Sequence, residues 1–165
     1  MKHSYVVRSA AWGMAFALLA CCLGMAVSQA LAQTPQNSAI VPVPRSSEDW
    51  WNKRHEGVLE RVKQGNVDLL LIGDSITHGY DGGGKAMWDQ YYAPRNAVNM
   101  GFSGDRTEHV LWRLENGEID GISPKAASIM IGTNNCNANS AEEIAEGVKA
   151  IVAKLREKLP NMKIL

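Results

Sequence analysis

At 165 residues, 45% of them apolar and 21% charged, the chain fits one globular domain with a core of its own. Seventeen basic side chains balance seventeen acidic ones. With no net field to draw the molecule toward a polyanion, nucleic acid and anionic membrane surfaces are excluded as expected partners.

The first 32 residues read as a segment apart from that domain. Lys2 and Arg8 make a basic start, residues 10–27 carry no charge, and Ala30-Leu31-Ala32 has the small-x-small pattern after which a signal peptidase cuts. A cleavable signal peptide over 1–32 is expected, and with it a secreted or periplasmic protein. Two other fates fit the same stretch: residues 10–27 retained as a membrane anchor, or Cys21 lipidated after Leu18-Leu19-Ala20. Removing 1–32 takes away two basic residues and no acidic one, which leaves a net charge of −2. It also takes Cys21 and Cys22. Cys136 is then without a partner for an internal disulfide, and reads as a small filler rather than a thiol nucleophile.

Residues 33–46 are polar and punctuated by Pro35, Pro42 and Pro44. Each proline fixes its own φ and pushes its predecessor toward extended backbone, so an extended linker is expected, followed by a domain over 47–165. Trp51, His55, Val58, Leu59 and Val62 share one helical stripe, with acidic residues at its start and Gly65 at its end. His55 lies on that stripe and reads as a packing residue. Val67 to Ile72 is a short apolar run of strand length, and Ala97 to Met100 and Ala127 to Ile131 are two more. Thr107 to Leu114 has helical spacing. Ser140 with Glu143 is a capping box, and it opens a helix over 140–159 with Ile144, Val148, Ile151, Val152, Leu155 and Leu159 on one face. Lys163 to Leu165 begins a fourth strand. Apolar strands alternating with helices predict an α/β fold with a parallel sheet covered on both faces.

Ligands of such sheets bind beyond the carboxyl ends of the strands. The first strand runs into Gly73-Asp74-Ser75, the second into Gly101-Phe102-Ser103-Gly104-Asp105, and the third into Gly132-Thr133-Asn134-Asn135. A serine at a strand-to-helix turn can project its hydroxyl into the crevice. A glycine lets a backbone N–H come close to a ligand, and an asparagine amide donates to a developing oxyanion. Ser75, Gly104 and Asn134 are thus candidates for a nucleophile and two donors to a tetrahedral intermediate. Taken one at a time they could be a cap, a turn former and a loop residue. Their arrival on one rim favours the chemical assignment. A competing pattern, Gly79 to Lys85 as G-x-x-x-x-G-K, lacks the Ser or Thr that a phosphate loop needs after its lysine, because Ala86 follows. Gly82, Gly83 and Gly84 read instead as a loop beside the site.

At these residues the chain resembles the SGNH, or GDSL, hydrolase superfamily. "GDSITHG" looks like its first block, with Ser75 as nucleophile; "NMGFSGD" looks like the second, with Gly104 in the oxyanion hole; "GTNN" looks like the third, with Asn134 in the oxyanion hole. The run over 99–125 is similar to the catalytic subunits of platelet-activating factor acetylhydrolase and to bacterial relatives. The resemblance implies a flavodoxin-like three-layer α/β/α sandwich, incomplete at the C-terminus. It also implies an acyl-enzyme mechanism without metal or organic cofactor, a short-chain acyl ester on a small molecule or glycan as substrate, and a homodimer among the available assemblies.

The superfamily's fourth block, an Asp-x-x-His that supplies the general base, has no counterpart in the 165 residues. Its absence suggests a truncated chain, inactive as it stands. His78 and His109 read as packing or rim residues, since a base must approach the serine from the crevice side. The alternative from another class is a non-catalytic module that binds a glycan or acyl ligand in the same crevice.

Overall fold

The computed structural model describes residues 36–165, so the signal peptide, the alternative anchor and Cys21 lie outside the described residues. In chain order the domain contains α1 (Asp49–Lys63), β1 (Leu69–Gly73), the single turn α2 (Ser75–His78), β2 (Ala97–Gly101), α3 (Thr107–Glu115), β3 (Ala126–Met130), α4 (Ala141–Lys158) and β4 (Lys163–Ile164). The strands form one parallel sheet in the order β2-β1-β3-β4. This is the strand order of the flavodoxin-like architecture.

Register explains which face is the core. Leu70 lies beside Val98 and Ala127, and Ile72 beside Met100 and Ile129, so these side chains share one face. They pack against Trp51, Val58 and Val62 of α1, Val110, Leu111 and Leu114 of α3, and Ile151 and Leu155 of α4. The Ser140 hydroxyl accepts from the Glu143 N–H and the Glu143 carboxylate from the Ser140 N–H, so α4 starts at its capping box as expected. Burying a leucine or isoleucine on this face is worth about 1.5–3 kcal/mol each.

The opposite face is less complete. There the turn α2 packs against β1 and β2, and the 79–95 stretch, a succession of 3-10, α and π turns, packs against β2. On β3, Ser128 and Met130 remain exposed, with Met130 at 46%. Two-faced cover therefore holds for half of the sheet among the described residues.

Residues 37–46, expected as the end of a linker, are packed against the domain. Ala39 is fully buried. Its carbonyl accepts the Thr107 hydroxyl at 2.8 Å, the Val43 N–H donates to the Glu108 carbonyl, and the Asn37 amide donates to the Glu143 carbonyl. On α4, a Cβ at Gly147 would lie 2.6 Å from the Thr107 hydroxyl and 2.9 Å from the Ala39 carbonyl, so a glycine there lets helix and lead-in meet.

Candidate active site

The three strand tips end at one level because Gly73 pairs with Gly101 on one side and with Met130 on the other. Ser75 follows Gly73 by two residues and is exposed. Asp74, buried, accepts the Ile76 N–H on its side chain at 3.0 Å and the His78 N–H on its carbonyl, which closes the turn under Ser75. Two glycines seat that turn. A Cβ at Gly73 would lie 2.2 Å from the Thr77 hydroxyl and 2.7 Å from the Met130 carbonyl, and one at Gly101 would lie 2.3 Å from the His78 nitrogen. With only four residues, α2 supplies little macrodipole. What it offers Ser75 is a free backbone N–H, since no hydrogen bond among the described residues takes it up.

Gly104 adopts φ +78°, and the place where its Cβ would stand is 3.2 Å from a guanidinium nitrogen of Arg45. A side chain there would meet both backbone strain and a clash. Its N–H is likewise not taken up among the described residues. Asn134 donates one amide hydrogen to the Asp105 carbonyl at 2.9 Å, which leaves the second for a ligand. Ser75, Gly104 and Asn134 are thus placed on one rim, the last two joined through Asp105.

The neighbouring Asn135 has a different part. It is fully buried, accepts the Thr107 N–H at 3.0 Å and donates to Thr107 Oγ1, Glu108 and Asn139, tying the third tip to the start of α3.

None of the three described histidines is hydrogen-bonded to Ser75. His78 Nδ1 accepts the Ser103 N–H at 3.2 Å and lies 2.9 Å from the Ser103 hydroxyl, with the ring stacked on Trp50. Burial, together with the Arg54 charge, lowers its pKa from the usual 6.5. His109 Nδ1 accepts the Arg106 N–H at 3.0 Å, and burial lowers its pKa too. His55 is bound to Glu118 at 2.8 Å. Cys136, expected as a filler, is exposed instead, with its Sγ 3.9 Å from the Gly132 carbonyl.

Sequence reasoning missed the buried ionic cluster behind the rim. Asp105 and Arg113 are fully buried and meet at 3.0 Å, and Arg113 also meets buried Glu118 at 2.5 Å while lying 3.9 Å from the Phe102 ring centre. The Asp105 carboxylate further accepts from Trp51 Nε1 at 2.9 Å and Arg45 at 3.0 Å. The only signal for it in the sequence was an aspartate directly after the candidate glycine. Away from Ser75, Gly104 and Asn134, none of which lines it, a cleft of about 490 Å³ between α1 and the first half of β2 is lined by Lys53, Arg54, Arg61, Asp81, Trp88 and Asn99.

A flavodoxin-like sheet with an exposed serine at its first strand tip and hydrogen-bond donors at the next two defines an α/β protein with the parts of an acyl-transfer site. Residues 71–165 match the model of the GDSL-like Lipase/Acylhydrolase family, and the chain belongs to that family. It is 39% identical over 132 residues to a platelet-activating factor acetylhydrolase IB subunit beta homolog of Drosophila melanogaster, covering 78% of this chain and 57% of that protein. It is 36% identical over 141 residues to the human platelet-activating factor acetylhydrolase IB subunit alpha2, covering 82% and 59%. The chain therefore spans less than two thirds of the length of these relatives. A solved structure from Streptococcus pneumonia, designated a platelet activating factor, superposes with a TM-score of 0.53 at 22% identity, over 72% of this chain and 56% of that one.

Proposed function

We propose that the protein is an exported serine esterase of short acyl esters, acetyl esters foremost, acting through an acyl-enzyme. The observation that carries this reading is the rim itself: an exposed serine with two unclaimed backbone N–H groups and one half-claimed amide around it. Ser75 Oγ attacks the ester carbonyl carbon. The carbonyl oxygen takes up the negative charge and is held by the N–H groups of Ser75 and Gly104 and by Asn134 Nδ2. Collapse of the intermediate expels the alcohol and leaves an acyl-serine, which water then hydrolyses. Ile76, 61% exposed next to the nucleophile, offers one small apolar contact, which suits a short acyl chain. The relatives named as acetylhydrolase subunits support the same chemistry.

The proton acceptor in this reading is an Asp-x-x-His outside the 165 residues, because among the described residues none of His55, His78 and His109 is hydrogen-bonded to Ser75. Residues 33–165 alone are then inert. Ser75 without a histidine partner among the described residues also fits a second reading, a crevice that binds a glycan or acyl ligand without turnover. The full-length gene product, treated with a fluorophosphonate probe and mapped by mass spectrometry, separates the two. The esterase reading predicts an adduct on Ser75 and hydrolysis of short-chain nitrophenyl esters, whereas ligand binding with no adduct favours the second. Export is tested by the N-terminal sequence of the mature protein, expected to begin at Gln33.

A further inference from the structure

Two of the three proposed oxyanion donors, Gly104 and Asn134, hang on one residue, Asp105. Its backbone carbonyl holds Asn134 Nδ2 at 2.9 Å, and its backbone nitrogen, donating to the Phe102 carbonyl at 3.0 Å, closes the turn that contains Gly104. Its carboxylate is fully buried and is gripped from three directions. Arg113 donates to one oxygen, and Trp51 and Arg45 donate to the other. Arg45 does more than neutralise charge. The same terminal nitrogen that reaches Asp105 also donates to the Ser103 carbonyl at 2.7 Å, so one guanidinium spans the residues on either side of Gly104. The guanidinium is itself aligned by a two-pronged contact with Glu48, both distances 2.8 Å, and lies 5.2 Å from the Trp50 ring centre. A backbone N–H has no rotamer of its own. Its direction is that of the peptide planes around it, and here those planes are pinned through Ser103 and Asp105.

We propose that Asp105 is the positioning residue of the oxyanion hole, and that Arg45, delivered by the lead-in before α1, is the clamp that holds it in register from the solvent side. The lead-in is thereby part of the active site without touching substrate. This proposal rests on the reading of Gly104 and Asn134 as oxyanion donors. It goes beyond that reading by assigning what aims them.

The test uses the full-length gene product and its Asp105→Asn, Arg45→Gln and Arg45→Lys variants, assayed with nitrophenyl acetate well below their melting temperatures. In parallel, the Gly104 backbone amide and the Asn134 side-chain amide are followed by heteronuclear NMR. Misplacing a catalytic group by about an ångström costs on the order of 10²-fold, so Asp105→Asn lowers kcat by about that factor while KM stays within roughly twofold. Arg45→Gln, which keeps the Arg113 and Trp51 contacts, lowers kcat by a smaller factor, on the order of tenfold. Arg45→Lys recovers part of the loss, since it keeps a donor without the two-pronged geometry. Both amide signals move in Asp105→Asn, and the Gly104 signal moves in Arg45→Gln.

If Asp105→Asn does not fold, the Arg45 pair decides. A folded Arg45→Gln with wild-type kcat and an unmoved Gly104 amide overturns the proposal, as does a folded Asp105→Asn in which neither amide moves. Should the wild type show no turnover dependent on Ser75, the esterase reading fails, and the amide signals alone still decide whether Asp105 and Arg45 set this loop.

Discussion

The turn that carries Ser75 and the loop that carries Gly104 leave adjacent strands at the same level, yet they are held by different physics. Ser75 is placed by close packing: its turn sits on Gly73 and Gly101, where a single methyl group would collide with Thr77 and His78. Gly104 is placed by charge, through Asp105, Arg45 and Arg113. Packing against backbone carries no charge of its own to titrate or screen. A buried ionic cluster is strong only while every member is paired, because each lone charge in the interior is costly.

The comparison predicts where the molecule breaks. Arg113→Met leaves Asp105 and Glu118 buried without their shared partner and should cost about 3–5 kcal/mol, read by urea denaturation. A loss under ~1 kcal/mol would mean that the cluster is not energetically coupled. Gly101→Ala should come next, at about 1–3 kcal/mol or more, since the added carbon meets the His78 nitrogen at 2.3 Å. Gly79→Ala, where a Cβ meets nothing within 4 Å, is the matched control and should stay within about 0.5 kcal/mol.

The paired asparagines sharpen the contrast between support and chemistry. Asn135→Ala leaves the buried Thr107 N–H without its acceptor and should destabilise by about 1–3 kcal/mol. Asn134→Ala should leave stability nearly unchanged while lowering turnover of the full-length protein by ~10²–10³-fold. Equal effects of the two on melting temperature would show that Asn134 is also structural.

The smallest effect concerns pH. Burial lowers the pKa of His109 below its ordinary 6.5, so the unfolded state binds a proton more readily than the folded one. Its contribution is fully present above about pH 6.5 and is lost as pH falls toward the depressed native value. His109→Asn, which keeps an acceptor for the Arg106 N–H, should flatten the stability profile on that acid side. A profile identical to wild type would remove His109 from the account.

Much of this was legible in the sequence, for physical reasons. A strand buried on both faces must be apolar throughout, so β1 showed as a branched run over Val67 to Ile72, while β2 and β3 showed as shorter runs broken by Asn99 and Ser128, and the capping box announced α4 at Ser140. The rim followed because strand ends are where loops begin. What stayed hidden depends on contacts between residues far apart. The Pro-punctuated 37–46 segment looked like a linker because its partners, Glu143 for Asn37 and Thr107 for Ala39, lie 106 and 68 residues away. Nothing local marked Arg113 and Glu118, since no neighbouring residue reveals that one ion pair will be buried with another. The structural part of Asn135 was not legible because its four contacts come from the start of α3 and the loop beyond.

The central claim is that Ser75 is a nucleophile served by donors from the next two strand tips. Steady-state hydrolysis of nitrophenyl acetate by the full-length gene product, beside its Ser75→Ala variant at equal concentration and matched folded fraction, tests it most directly. The account predicts turnover by the wild type and a fall by at least three orders of magnitude in the variant, to what binding and oxyanion donors alone sustain. Turnover that is the same in both proteins would contradict it.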